Sequence, residues 1–557
     1  MFSAALERRI QHVVLVCAAG MTLAVTPWTS LEPISLPKFT ILGVCGVALF
    51  GVIAPFLRKI FFSDTRFLIC AVTLFISCLV LTFLFSDSSF WPQIYGTFGR
   101  NTGLISYMCL ATMLLSTALV SSYSFVGKLL WALIFSGFFN ALYGVVQWSG
   151  NDPANWRLIH NSIIGTLGNP NFVSAYLGIA AVAALAFGLD NSRSFITRII
   201  PNTSVAISLF VIQKSNSSQG LLIFALGAVF IFYWRFLHLF SKLIRKIYLT
   251  LVCISLALGT LGVLNKGPLS PYLYEASVSV RGDYWRAGWQ MTLSHPLFGI
   301  GLDSYGDWYR FSRDEAAVLR AGPGVVTNSA HNVFLDISSN GGFILLLSYL
   351  LIISLIFKSS WRVLRRSQTF NAISVALVSS WVAYFVQSVI SINQLGLAIW
   401  GWVLGGAIIG YDLYQENLNP TDTKRNGRGQ TKVVPESVVL TGTLGFMVGM
   451  AVSIWPFAQD LNFRSALESG EVNRIEAAVK MFPRNNQYLT YSANILLQNK
   501  LEDKALEFAK RATSANPRDF NAWSILAKSS TLGEKEKRIA LEKMKELDPF
   551  NQTIKQP

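Results

Sequence analysis

The sequence predicts an all-α fold: a polytopic bundle of about 12–13 transmembrane helices, followed by a C-terminal domain of helical repeats. Hydrophobic residues make up 52% of the 557 residues, and charged residues only 14%. A soluble protein of this length needs far more charge to cover its surface. The apolar residues also form runs of roughly 20 residues, the length of a helix that crosses a bilayer.

About thirteen apolar runs are candidate spans. The run at 199–213 is the shortest and contains Ser and Thr. We expect the spans near residues 12–29, 38–57, 67–85, 104–121, 128–147, 171–189, 199–213, 220–235, 247–264, 333–357, 371–390, 395–413 and 437–455.

Basic residues predict the orientation of these spans. Five clusters of Lys and Arg fall in alternate loops, as expected when the N-terminus is cytoplasmic. The net charge of +16 therefore reflects cytoplasmic loops, and we expect no nucleic-acid partner. The other loops then face outward, and two of them, 86–103 and 265–332, are informative. The five clusters are Arg58-Lys59 with Arg66, Arg193 with Arg198, Arg235 through Lys246, Lys358 through Arg366, and Lys424 through Lys432.

The six cysteines lie inside apolar runs, where cysteine behaves as a small hydrophobic residue. Their spacing matches no zinc pattern. The sequence therefore predicts no disulfide, no metal site and no cofactor.

After the last span the composition becomes charged and Ala-rich. Pro483 and Pro517 lie about 34 residues apart, and Ala478 and Ala512 precede them at matching positions. This pattern resembles the tetratricopeptide repeat, in which small residues let paired helices touch. We therefore predict two domains, a transmembrane domain at 1–457 and a helical-repeat domain at 458–557. The odd number of spans puts the second domain outside the cytoplasm, where it could bind a protein partner.

The long outer loop carries a series of unusual motifs. Arg281 is followed four residues later by Trp285, then by His-Pro-x-x-Gly-x-Gly at 295–301, and finally by His331-Asn332 before a Gly-containing span. This combination resembles the O-antigen ligase and polymerase superfamily. The segments 96–103 (GTFGRNTG) and 165–171 (GTLGNPN) resemble further motifs of that superfamily.

The resemblance implies a metal-independent glycosyltransferase of the bacterial inner membrane, which acts at the outer face. Its donor would be an undecaprenyl-diphosphate-linked glycan, and its acceptor lipid A–core or another glycan or protein. The essential His and Arg of the family map onto His331 and Arg281. A sugar hydroxyl is a poor nucleophile, so that a base with a pKa near neutrality helps. A guanidinium offers a fixed fork of donors to the leaving diphosphate. Whether His331 acts as the base or orients the acceptor stays open.

Four further residues are candidates for substrate binding: Arg100, Lys214, Arg286 and Asn332. Arg100 could equally anchor a helix end. Gln219 occupies the place of an Arg that many family members carry on the diphosphate side, and Lys214 is near enough in sequence to supply charge there. The ammonium group of a lysine is a point charge, however, and lacks the planar set of N–H donors of a guanidinium.

Several alternatives stay open at this stage. A polysaccharide polymerase and a protein O-oligosaccharyltransferase differ from a ligase only in the acceptor. A transporter of small solutes, such as inorganic carbon, is the main rival from another class. Transporters usually place ionisable residues at mid-membrane and contain internal repeats, whereas these spans contain few charged residues and show no internal repeat. A scaffold whose working part is the repeat domain is the remaining alternative.

Overall fold

The fold is that of a computed structural model, which describes residues 2–154, 156, 163–237, 240–273, 276–367, 369–418 and 435–554. These residues form α-helices and one 3₁₀ turn at Ala54–Phe56, and no strand occurs among them. The helices are α1 Ala4–Leu23, α2 Ser35–Ile53, α3 Leu57–Phe61, α4 Arg66–Phe85, α5 Phe90–Tyr95, α6 Leu104–Val120, α7 Tyr123–Trp148, α8 Pro170–Gly188, α9 Phe195–Lys214, α10 Gln219–Phe236, α11 Lys242–Val263, α12 Ser270–Leu273, α13 Ala276–Ser294, α14 Tyr305–Ser312, α15 Glu315–Ala321, α16 Val333–Arg366, α17 Ala372–Ile390, α18 Leu395–Leu418, α19 Glu436–Ser469, α20 Val472–Lys480, α21 Asn486–Gln498, α22 Glu502–Ala515, α23 Phe520–Lys528 and α24 Glu534–Leu547.

The predicted membrane-spanning architecture is confirmed. Within the described part of the chain, eleven helices are long and apolar enough to cross a membrane. They are α2 with α3, α4, α7 to α11 and α16 to α19. Two other predicted spans correspond to α6, an apolar helix of 17 residues, and α1, a helix of 20 residues that includes charged positions near its start.

The prediction for the first span, 12–29, is wrong at both ends. Helix α1 begins at Ala4, where Ser3 caps it, and ends at Leu23. Pro27 prevents continuation, because the residue before a proline is disfavoured in the helical conformation. The chain turns there instead, and the backbone N–H of Ser30 donates to the carbonyl of Thr26 at 3.2 Å. The predicted basic cluster at 424–432 lies outside the described residues.

The interior of the membrane bundle is formed by α8, α17 and α18, and α18 is buried along its membrane-spanning stretch. Helix α11, by contrast, exposes almost all of its surface. The final long helix α19 packs on α2 through glycines. A Cβ at Gly51 would lie 2.3 Å from the carbonyl oxygen of Thr441, and a Cβ at Gly449 would lie 3.0 Å from that of Gly43. This close approach leads α19 alongside α2 toward the loop that follows α1.

Helix α19 continues without a break past the predicted end of its span at 455, through Pro456, to Ser469. The predicted domain boundary after residue 457 therefore falls within a helix, and the division into two domains stays a prediction. Helices α20 to α24 follow, and their buried contacts involve many alanines, such as Ala493, Ala505 and Ala512. The hydrophobic cluster of these helices also includes Leu31 and Phe98 from the membrane body. The tetratricopeptide class of this region stays a prediction.

Candidate active site

His331 lies directly before α16, whose N-cap is Asn332. The Asn332 side chain accepts hydrogen bonds from the backbone N–H groups of Phe334 (3.0 Å) and Leu335 (3.1 Å). His331 has a φ of +54°, in the left-handed region that side-chain-bearing residues rarely adopt. Its ring lies beside the ring of Tyr284, with 5.4 Å between the centroids. Asn332, predicted to bind substrate, thus caps the helix that presents His331.

Asp336, one turn into α16, holds the segment that carries His331. Its carboxylate accepts hydrogen bonds from the Ser329 hydroxyl (2.7 Å) and from the backbone N–H of Ala330 (2.7 Å). The Ser329 hydroxyl in turn accepts from the backbone N–H of His331 at 3.1 Å. The backbone conformation of His331 is therefore determined by a buried carboxylate five residues away.

A buried cluster, which we call the Arg100 cluster, joins the two outer loops behind His331. It consists of Arg100, Asp303 and Asp336. The Arg100 guanidinium pairs with Asp303 (Nε–Oδ1, 3.2 Å) and with Asp336 (Nη2–Oδ2, 3.7 Å), and it donates to the carbonyl of Asn328 at 2.5 Å. Asp303 also accepts from the backbone N–H of Thr97 at 2.7 Å. The Arg100 guanidinium thus binds other protein groups, as the alternative prediction, that it anchors a helix end, requires.

The His-Pro-x-x-Gly-x-Gly motif packs directly on the kinked part of α16. Gly299 has a φ of +65°, and a Cβ there would lie 2.3 Å from the backbone of Asn340. Gly342, at the kink, has a φ of +69°, and its Cβ would meet the carbonyl oxygen of Leu297 at 2.3 Å. Only glycine tolerates both the conformation and the approach. These glycines therefore bring α13 and the start of α16 together, with Arg281 on one and His331 before the other.

The surroundings of His331 favour a neutral imidazole. Burial, together with the positive charges of Arg281 and Arg100, lowers the pKa of His331 from 6.5 to about 4. The ring nitrogens form no hydrogen bond with any other described residue. At neutral pH His331 can therefore accept a proton from a group that enters beside it.

A cavity of about 990 Å³ opens next to His331, between the membrane body and the C-terminal helices. On the body side it is lined by Leu36, Trp91, Pro92, Tyr95, Gly96, Thr97, Phe98, Asn101, Gly306, Asp307, Arg310, Val326, Thr327, Asn328 and His331. From α19 onward it is lined by Pro456, Gln459, Pro483, Arg484, Asn485, Asn486, Gln487, Tyr488, Thr490, Tyr491, Asn494, Leu497, Asn516, Arg518, Asp519, Phe520, Asn521, Ser524, Ile525, Lys528 and Leu547.

A second buried cluster, which we call the junction cluster, joins the long outer loop to the end of α24 beside this cavity. It consists of Arg310, Arg313 and Asp548. Asp548 pairs with Arg313 (2.7 Å) and with Arg310 (2.9 Å), and the side chains of Arg313 and Asp548 are almost wholly buried. Nearby, the Asn516 amide donates to Asp307 at 3.0 Å.

Comparison with known families identifies part of the chain. Residues 203–350 match the O-Antigen ligase family. The match covers 148 of the 557 residues. No curated protein matches the chain in a sequence search. The predicted superfamily is thereby confirmed, and the match supports glycan transfer of the ligase or polymerase type at the level of the family. The matched segment contains Arg281 and His331, whereas Arg100 precedes it and the C-terminal helices follow it.

Within the matched segment, Arg286 is bound to carboxylates. It pairs with Asp314 (2.7 Å) and with Asp283 (2.6 Å). Asp283 is buried and also pairs with Arg320. Arg286 thus ties α13 to α15, and its role in substrate binding stays a prediction.

Lys214 lies in a different part of the matched segment. Its ammonium group lies 5.5 Å from the ring centroid of Trp148 and 5.8 Å from that of Phe210, and the side chain is exposed. It does not line the cavity beside His331. Gln219 is buried, and neither polar atom of its amide has a hydrogen-bond partner among the described residues.

The sequence pattern does not point to Asp303, Asp336 or the residues of the junction cluster. One signal was available for Asp336, because an acidic residue in the first turn of an apolar span is a candidate functional residue by default. No comparable signal exists for Asp548. Its partner Arg313 lies 235 positions away in the sequence. The residues around Asp548 are typical of the end of a repeat helix.

Proposed function

We propose that this protein transfers a glycan from undecaprenyl diphosphate to an acceptor hydroxyl at the outer face of a bacterial inner membrane. The observation that carries the proposal is the position of His331. It belongs to the segment that matches the O-Antigen ligase family, and it lies on the wall of the cavity of about 990 Å³.

In the proposed reaction, the neutral imidazole of His331 takes the proton of the acceptor hydroxyl. The acceptor oxygen forms a bond to the anomeric carbon, the bond from that carbon to the diphosphate oxygen breaks, and undecaprenyl diphosphate leaves with the electron pair. The depressed pKa of His331 keeps the ring unprotonated before the reaction. The Arg100 cluster holds the backbone of His331 in position through Asp336 and Ser329.

Arg281 is the proposed partner of the leaving diphosphate. It lies one turn before Tyr284, whose ring is beside His331, and its charge acts on both residues. A guanidinium can grip two phosphate oxygens at once, and fixed positive charge of this kind could replace a metal ion. The proposed reaction is therefore independent of metal.

The proposed orientation follows from α16. This span begins beside His331 and ends with Arg365 and Arg366. Basic residues favour the cytoplasmic side, so that His331 and the C-terminal helices that share its cavity belong outside. Alkaline phosphatase, which is active only outside the cytoplasm, tests this when fused to the C-terminus. An inactive fusion at normal expression would contradict the proposed orientation.

The decisive experiment is transfer of purified lipid-linked glycan to acceptor by the His331→Ala variant in detergent. Transfer should fall by about a thousandfold or more, which corresponds to loss of general-base catalysis and acceptor placement together. Donor binding should remain. His295→Gln is the matched control, because His295 lies in the same outer loop against Trp308 and does not line the cavity. Wild-type turnover by His331→Ala would remove His331 from the mechanism.

A further inference from the structure

The C-terminal helices present two rows of polar side chains to the cavity that contains His331. On α21 the row consists of Gln487, Thr490, Tyr491 and Asn494, and on α23 of Asn521, Ser524 and Lys528. The spacing of three, four and seven residues puts each row on one face of its helix. Both faces are turned to the same space as His331.

Three amides in these rows have unused hydrogen-bonding groups. The side chains of Gln487, Asn494 and Asn521 are exposed and form no side-chain hydrogen bond with another described residue. Other amides on the same wall are already engaged, for example Asn486 with the carbonyl of Ala515 (3.2 Å) and Asn516 with Asp307 (3.0 Å). The free amides are therefore available to a ligand.

Two of the four Lys and Arg side chains on the wall are engaged with protein groups, whereas Arg484 and Lys528 are exposed and form no ion pair with a described residue. Arg310 is paired with Asp548, and the Arg518 guanidinium lies 3.4 Å from the ring centroid of Trp308 and donates to the carbonyl of Asp307. Arg484 and Lys528 could bind an acidic group of a ligand, whereas most of the two rows consists of uncharged side chains. A neutral ligand with many hydroxyl groups suits free amides, because each amide both donates and accepts as a hydroxyl does.

We infer that this cavity is the acceptor site, and that the acceptor is the hydroxyl-rich end of a glycan, held by Gln487, Asn494 and Asn521 with its terminal hydroxyl toward His331. The inference rests on the proposed function. The cavity volume of about 990 Å³ is at the upper end of the range for ligand sites, roughly 300–1,000 Å³. It accommodates a short oligosaccharide and excludes a folded protein. Aromatic rings on the wall, such as Trp91 and Tyr491, offer flat surfaces to sugar rings.

The test uses the full chain in nanodiscs and the core oligosaccharide released from lipopolysaccharide by mild acid as the probe. The triple variant Gln487→Ala, Asn494→Ala, Asn521→Ala should bind this probe about tenfold or more weakly than the wild type, because each lost hydrogen bond contributes to affinity. Gln498→Ala is the matched control. Gln498 is exposed on the same helix as Asn494, one turn further on, and does not line the cavity.

Transfer kinetics with intact acceptor form the second arm. The triple variant should raise the acceptor KM about tenfold or more, with kcat within about twofold and the donor KM unchanged. Unchanged affinity and unchanged acceptor KM in the triple variant would overturn the inference and leave the proposed function standing. If the wild type binds the oligosaccharide through these amides but transfers nothing, the proposed function fails and the cavity remains a glycan site.

A Ser- and Thr-containing peptide acceptor is the third arm. If the triple variant weakens transfer to this peptide and leaves transfer to the glycan unchanged, the cavity receives a polypeptide and the inference is wrong. If only the glycan reaction is affected, the inference is supported.

Discussion

The Arg100 cluster and the junction cluster are both buried pairings of arginine with aspartate, but they hold different parts of the molecule. The Arg100 cluster joins two outer loops of the membrane body and fixes the backbone before His331. The junction cluster joins the outer loop to Asp548 near the end of the chain and fixes the far wall of the cavity. Similar ion pairs can thus position the proposed catalytic residue in one place and the wall of the proposed binding site in another. Mutations in the two clusters should therefore change different kinetic parameters.

Apart from His331→Ala, the largest effect is expected for Asp336→Asn in the Arg100 cluster. The amide has the size of the carboxylate but lacks its charge, so that Arg100 loses one partner and the Ser329–His331 segment loses its anionic anchor. We expect kcat to fall about 100-fold, since a displacement of about 1 Å in a catalytic group has effects of this size, with acceptor KM unchanged. Steady-state kinetics with varied acceptor measure both. A normal kcat would show that the cluster does not position His331.

A smaller effect is expected for Arg281→Lys. The ammonium keeps the charge but loses the fork of donors, and we expect kcat to fall about 10- to 100-fold. Arg320→Lys is the control, because Arg320 is a half-exposed partner of Asp283. Activity should persist in excess chelator for both proteins. Restoration by magnesium after chelation would contradict the proposed metal-free reaction.

In the junction cluster, Asp548→Asn should act on the acceptor and not on the chemical step. The change leaves the buried Arg313 guanidinium without its carboxylate, which costs about 3–5 kcal/mol when one partner of a buried pair is removed. We expect the C-terminal helices to become more sensitive to limited proteolysis and acceptor KM to rise several-fold, with kcat nearly unchanged. A fall in kcat without a change in KM would reverse the assignments of the two clusters.

The smallest effects concern pH, and the two regions should respond in opposite directions. The pKa of His331 is lowered from 6.5 to about 4 by burial and by Arg281 and Arg100. The unfolded chain therefore binds more protons than the folded chain between these values, and the stability contributed at His331 is complete above pH 6.5 and is lost as pH falls toward 4. For the same reason kcat should stay level from pH 8 to about 6 and fall only near pH 4.

At the junction, Asp307 behaves in the opposite way. Burial, followed by the charge of Asp519, raises the pKa of Asp307 from 3.8 to about 6. The folded chain then binds more protons between these values, so that stability falls as pH rises from 3.8 through about 6. Asp307→Asn should remove this dependence and raise the melting temperature at pH 7.5 more than at pH 5. Equal shifts at both pH values would mean that Asp307 does not titrate in this range.

The sequence by itself determined the helical membrane architecture and the segment that contains the site. Apolar runs report spans directly, because a bilayer requires a helix to satisfy its own backbone and to expose apolar side chains over a fixed length. The order of motifs from Arg281 to His331 likewise lies within one loop, where local pattern is informative. The predicted end of α1 was wrong because Pro27 prevents the helix from continuing, although the apolar run extends beyond Leu23.

Only the tertiary structure decided which of the predicted cations are available and what faces His331. Arg100 and Arg286 are both candidates for substrate binding in the sequence, yet each pairs with two aspartates. The free amides of α21 and α23 reach the same cavity as His331 although they follow it by more than 150 positions. Such proximity arises from packing between distant segments, α19 on α2 and Asp548 on Arg313. The sequence pattern of a single helix does not predict this proximity, because each segment has the same periodicity of apolar residues whether or not its partner is present.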